Sequence, residues 1–177
     1  MAGDEPRRAS LDPDPFERLF VAEYGRVLAI AQRVVADRAE AEDVAQEVFL
    51  DFHHRHPPDA PYAPGWLHRA AAHTALNRIR SRRRRQQREL RSAALDPTPH
   101  GSQDPHDVVQ LREDRRHLRE ALGRLPTKAA SVLALRYSGL SYVEVAQALG
   151  VGTGQIGTLL RRAEAALKKE MHDATPV

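Results

Sequence analysis

The sequence predicts an all-α protein of two small helical domains joined by a flexible linker. Three observations carry that prediction. Aromatic residues make up only 5% of the 177-residue chain, too few for a large β-core, so each core must rest on Leu, Val and Ala. Apolar residues recur at steps of three and four over most of the chain, which places them on one face of a 3.6-residue helix. The regular pattern is broken once at length, over residues 92–107, SAALDPTPHGSQDPHD, by three prolines, a glycine and small polar residues. That composition marks a linker and a domain boundary.

Each element follows in order. Residues 1–14 are rich in Pro, Asp and Arg with little to bury, the composition of a disordered tail. The first domain spans 15–91. Its first helix is expected over about 16–36, with Phe16, Leu19, Phe20, Tyr24, Val27, Leu28, Ala31, Val34 and Val35 on one face. Asp37 either closes that helix or caps the next. A second helix follows from Ala39, with Val44, Val48, Phe49 and Phe52 inward. Four prolines between Pro57 and Gly65 then remove backbone donors and disfavour helix in the preceding residues, which predicts a stiff loop. A third helix starts near Pro64 or Gly65 and runs to about Arg91. Its buried side is expected to hold Trp66, Leu67, Ala70, Thr74, Leu76 or Asn77, and Ile79. Beyond Ile79 the apolar pattern stops, so the arginine half is expected to project from the packed part.

The second domain spans 108–177. Helix resumes over Val108–Leu122, and Leu118, Leu122, Leu125, Val132, Leu133, Leu135, Val145, Leu149, Ile156, Leu160 and Leu167 supply its core pattern. Ser141 followed by Glu144 is a capping box. Gly150 stands where a helix ends left-handed, Thr153 is placed to cap the next helix, and Ile156 turns back to the core. Small Ala146, turn Gly150 and branched Ile156 meet the packing needs of a helix-turn-helix. An αα-hairpin with no nucleic-acid role carries many of the same caps. The following helix sets Gln155, Thr158, Arg161 and Arg162 opposite Ile156 and Leu160, where they suit base edges and phosphates.

Charge is divided along the chain. Residues 66–91 hold nine arginines and one acid, Glu89, whereas residues 1–56 hold seven basic and twelve acidic residues. A basic surface on a folded helix meets a polyanion, and the acidic first part calls for a different partner. Other classes lose ground. The chain has no cysteine, which excludes disulfides and thiolate zinc sites. Nine histidines fall outside any HExxH spacing, and there is no Gly-rich phosphate loop or nucleophile motif. No enzyme activity, metal or cofactor is expected. No apolar run approaches the ~20 residues of a membrane span, and the N-terminus lacks a secretory core, so no membrane insertion and a cytoplasmic location are expected.

The stretches AEAEDVAQEVFLDF (39–52), WLHRAAAHTALNRIRSRRRR (66–85), LPTKAASVLALRYSGLSYVEVAQALGVG (125–152) and LLRRAEAAL (159–167) together resemble the extracytoplasmic-function sigma factors, two-domain initiation subunits of bacterial RNA polymerase. The resemblance implies that 15–91 is sigma domain two and 108–177 is sigma domain four. It implies docking of the second helix on the β′ clamp through Asp43, Gln46 and Glu47, and a contact of the second domain with the β flap. It also implies minus-ten promoter recognition by Arg69, His73, Asn77, Arg80, Arg82, Arg83, Arg84 and Arg85. Minus-thirty-five recognition would fall to Gln155, Thr158, Arg161 and Arg162, and an anti-sigma factor is a partner the family often has.

Two departures bear on specificity. His73 and Asn77 stand where the family commonly has Asn and Asp. Gly157 and Leu159 replace a lysine and an arginine in the helix that would read the upstream element. The alternatives are a polymerase-docking regulator without normal promoter recognition and a stand-alone helix-turn-helix regulator.

Overall fold

The computed structural model describes residues 13–93 and 106–173, and these form seven helices. In chain order they are α1 (Pro15–Val35), α2 (Arg38–Arg55), α3 (Ala63–Ala93), α4 (His106–Arg124), α5 (Thr127–Tyr137), α6 (Tyr142–Leu149) and α7 (Thr153–Asp173). No strand occurs among the described residues. The expected tail lies outside them except Pro13 and Asp14, and the expected linker is described only at its two ends, which are helical.

The helix ends follow from local chemistry. Asp14 accepts from the Phe16 amide at 3.1 Å, with Pro15 opening α1, where its missing N–H costs nothing. Asp37 caps α2 rather than closing α1, accepting from the Glu40 amide at 2.8 Å. Ala36 ends α1 with a left-handed φ of 58°. The capping box of α6 is present in both halves, and Gly150 closes that helix at φ 65°. Thr153 is itself the first residue of α7, so it does not stand before the helix as the sequence pattern suggested.

Helices α1, α2 and α3 bury Val27, Ile30, Val34, Val44, Val48, Phe49, Phe52, Leu67, Leu76 and Ile79. Leu76, not Asn77, takes the inward position, and Ala71, Ala72 and Ala75 are buried beside it. Trp66 is half-buried, its ring 5.4 Å from that of Phe52 and 4.7 Å from that of His56. His68 is buried and its Nε2 lies 2.8 Å from Glu23 Oε2, tying α3 to α1. Helices α4 to α7 bury Leu122, Leu125, Val132, Leu133, Leu135, Val145, Ile156 and Leu160. Leu118, expected inward, is exposed.

The two helical units pack against each other, with α3 meeting α4, α5 and α6 and α1 meeting α5. A Cβ added at Gly65 would stand 3.5 Å from the Gln147 carbonyl carbon, and one at Gly123 would stand 3.9 Å from Ile79 Cδ1.

Candidate nucleic-acid interface

Helix α3 carries its charge on two faces. Steps of three and four place Arg69, His73, Asn77, Arg80 and Arg84 along one stripe. Arg69, Asn77 and Arg84 are exposed, and His73 and Arg80 are half-buried. Arg78 and Arg82 lie on the side turned to α2. There Arg78 Nη2 meets Glu47 Oε2 at 2.9 Å, Arg78 Nη1 lies 3.8 Å from Asp43 Oδ2, and Arg82 Nη2 meets Glu40 Oε2 at 2.6 Å. The structure therefore splits the arginines that the sequence grouped together. Arg82 is exposed yet held by an acid of its own domain, Arg83 is half-buried and Arg85 is exposed.

Burial pushes the His73 imidazole below its usual range, and the positive charges of Arg69 and Arg80 push it further the same way. A neutral ring in a basic stripe offers a hydrogen-bonding edge rather than another cation.

Arg80 departs most from its expected place. Instead of projecting to solvent, its guanidinium donates to the carbonyl oxygens of Leu125 at 2.9 Å and Gly123 at 3.3 Å, and to Thr127 Oγ1 at 2.9 Å. Projection from the packed part begins near Arg84, after which every residue to Ser92 is exposed. The reason is that α4 and the α4–α5 turn lie against α3 at this level, a contact that periodicity within α3 cannot signal.

The carboxylates of Asp43 and Glu47 and the amide of Gln46 are exposed on one side of α2. Arg78, which the sequence did not single out, spans the two acids. In the second unit, Gln155, Thr158, Arg161 and Arg162 are all exposed on α7, opposite buried Ile156, Leu160 and Ala163. Leu159 is half-buried and packs on the core, while the nearest atom to a Cβ at Gly157 is Tyr142 Cε2 at 3.9 Å. No group of three or more residues able to hold a metal ion occurs among the described residues. No described helix is long and apolar enough to cross a membrane.

The family model for sigma-70 region 2 matches residues 19–85, and that for sigma-70 region 4 matches residues 115–167. Together they span most of α1 to α3, the second half of α4, and α5 to most of α7, more than half of the chain. This chain belongs to the sigma-70 family, as an extracytoplasmic-function member. An ECF RNA polymerase sigma factor, SigK of Mycobacterium sp. (strain KMS), is 29% identical over 160 residues, covering 86% of this chain and 81% of that protein. The probable RNA polymerase sigma factor RfaY of Xanthomonas campestris is 31% identical over 176 residues, 94% of this chain but only 42% of its own length. The solved structure of CnrH in complex with the cytosolic domain of CnrY shares the fold, with a TM-score of 0.53 at 20% identity over 90% of this chain and 89% of that one. The sigma factor described here is thus a transcription-initiation subunit that works with core RNA polymerase on promoter DNA.

Proposed function

We propose a division of labour among the faces of this sigma factor. Residues 15–91 act as domain two and residues 108–177 as domain four. Asp43, Gln46 and Glu47 dock α2 on the polymerase clamp. The stripe Arg69, His73, Asn77 and Arg80, continued by Arg83, Arg84 and Arg85, takes the minus-ten element, with Arg82 steering from the side nearest α2. Arginine suits that task because it binds phosphate and stacks on unpaired bases. Gln155, Thr158, Arg161 and Arg162 face the upstream duplex, and domain four also meets the β flap. The protein acts in the cytoplasm, carries no cofactor and performs no catalysis of its own. An anti-sigma partner is a further expectation, since CnrH is seen with the cytosolic domain of CnrY.

The observation that supports this reading best is the separation of charge in space. An exposed acid–amide–acid side of α2 and a basic stripe of α3, exposed at Arg69, Asn77 and Arg84, stand on one three-helix unit. A stand-alone duplex-DNA regulator has no use for the first of these. Upstream reading is expected to be weak, because Leu159 packs inward and Gly157 offers no side chain, so two contacts that would add affinity and salt dependence are missing.

The test is transcription from a supercoiled promoter template by core polymerase with this protein. Initiation is expected. Scrambling the minus-ten element should abolish it, and scrambling the minus-thirty-five element should lower it only a few-fold. Glu47→Lys should weaken core binding at least tenfold. A protein that binds core but never initiates would instead be a polymerase-docking regulator without promoter recognition.

A further inference from the structure

We propose that the cleft between α3 and α4 binds a small anion ending in a phosphoryl group, of the diphosphate or triphosphate class, held by Arg82 and Arg83 from one wall and Arg116 and Arg119 from the other.

The spacing of residues sets up the site. Arg82 and Arg83 follow Ile79 by three and four residues on α3, and Arg116 and Arg119 stand three apart on α4. Each helix thus turns two guanidiniums to one gap. The gap is a cavity of about 150 Å³. At about 30 Å³ per water it has room for about five waters, enough for one phosphoryl group inside and a second at the mouth. Buried Ile79 lines it, and an apolar wall strengthens a charge contact made beside it. Gln86 adds an amide donor at the exposed end.

The protein does not balance the charge in this cleft. Among the described lining residues Glu120 is the only acid, and it lies 4.0 Å from Arg116. Glu40 of α2 holds Arg82 at 2.6 Å. Arg119 gives Nη1 to the Val35 carbonyl at 3.2 Å, a bond that brings no negative charge. Arg83 makes no hydrogen bond or ion pair with a described residue. Four guanidiniums therefore answer to two carboxylates. The crowding is felt at Arg119, which burial, and after it the positive charge of Arg82, pushes below its usual range. Arg82 and Arg119 each commit one nitrogen, so most of the N–H donors of the four side chains remain for a ligand.

The donor set selects the ligand. Guanidinium groups take phosphate oxygens in pairs. A terminal phosphoryl group offers three acceptor oxygens and a charge near −2, which offsets the excess in the cleft. A nucleic-acid diester offers two free oxygens and one charge. Guanidiniums on two opposed walls suit the first better than the second. Arg82 and Arg83 also belong to the minus-ten set proposed above. On that reading a ligand here withdraws both from promoter DNA and the site is inhibitory, whereas the binding itself does not rest on it.

Titration calorimetry of the full-length protein with inorganic pyrophosphate and with tripolyphosphate, at about 0.15 M salt, tests the site. Saturable one-to-one binding is expected. Sulfate, and a thymidine dinucleotide without terminal phosphates, should bind at least tenfold more weakly. Arg83→Ala with Arg116→Ala should weaken pyrophosphate binding at least tenfold. Arg88→Ala with Arg91→Ala removes the same charge from the exposed end of α3 and should change it less than twofold. Glu120→Gln removes the competing carboxylate and should tighten binding several-fold, a gain that a misfolded variant cannot give. No saturable binding, equal losses in the two double variants, or no gain in Glu120→Gln would each overturn the site. Sulfate binding as tightly as pyrophosphate would make the cleft a general anion patch. The dinucleotide binding as tightly would make it a contact for DNA backbone. Either result overturns the assignment to a terminal phosphoryl group.

Discussion

Glu144 joins the two local devices that hold α6 in place. Its carboxylate accepts from the Ser141 amide at 2.8 Å while Ser141 Oγ accepts from the Glu144 amide at 3.3 Å, and Arg26 approaches from α1. These bonds, Ser141 first and Arg26 after it, hold the carboxyl at about 2 against an ordinary 4.5. A depressed acid contributes its stability above the unfolded value and loses it as pH falls through the folded one. Stability should therefore decline between about pH 4.5 and 2 in part through this residue. Glu144→Gln should flatten that limb of a pH-dependent denaturation curve, whereas Ser141→Ala should shift it only in part, because the backbone amide at 141 still donates to the carboxylate. Gly157 makes the opposite case, a residue whose surroundings do not require it. A Cβ there meets only the Tyr142 ring, at ordinary contact distance, and glycine within a helix costs about 1 kcal/mol relative to alanine. Gly157→Lys should raise stability by up to about 1 kcal/mol in thermal unfolding. It should also steepen the salt dependence of upstream-duplex binding by about one phosphate contact. No change in that slope would place α7 away from the duplex backbone.

At the scale of elements, the three-helix unit is held by a few large side chains between α2 and α3. Phe52 is fully buried and meets the edge of Trp66, the single tryptophan of the chain. Phe52→Ala should cost about 3–5 kcal/mol, and the loss should be read directly as a lower denaturation midpoint in Trp66 fluorescence. Helix positions were readable in the sequence because caps and periodicity act within a few residues. Ser141 and Gly150 announce ends that the structure then realises, whereas Asp14, placed by composition in the tail, caps α1. The exposed quartet on α7 was readable for the same reason, since Ile156 and Leu160 fix which way that helix faces. Arg80, Arg33 and Arg119 were not. Their acceptors are main-chain carbonyls 43, 45, 104 and 84 residues away, and a carbonyl has no residue type to betray it. Leu118 erred in the other direction, being apolar in pattern and exposed at 37% beside a cavity that no single helix could foretell. Arg78 and Arg82 belonged to a basic run in sequence, yet the crossing of α2 over α3 sets Asp43, Glu47 and Glu40 against them.

For the whole molecule, two kinds of arginine contact answer differently to salt. Between the units the acceptors are mostly neutral carbonyls, with Arg26–Glu144 the ion pair that links them among the described residues. An exposed pair of that sort contributes little and is screened further by salt. Hydrogen bonds from a guanidinium to a carbonyl, and apolar contact between α3 and the second unit, pair no two full charges, so salt weakens them less than it weakens an ion pair. Promoter binding releases counterions instead, and each phosphate neutralised adds about −0.7 to −0.9 to the slope of log affinity against log salt. If four of the arginines of α3 meet phosphates, the slope is about −3, and a fivefold rise in salt lowers affinity by roughly a hundredfold. Raising sodium chloride from about 0.1 to 0.5 M should therefore leave the radius of gyration of the free protein unchanged while promoter affinity falls by that amount. An expansion of the free chain that tracks the loss of affinity would mean that charge, rather than helix-end capping, holds the two units together.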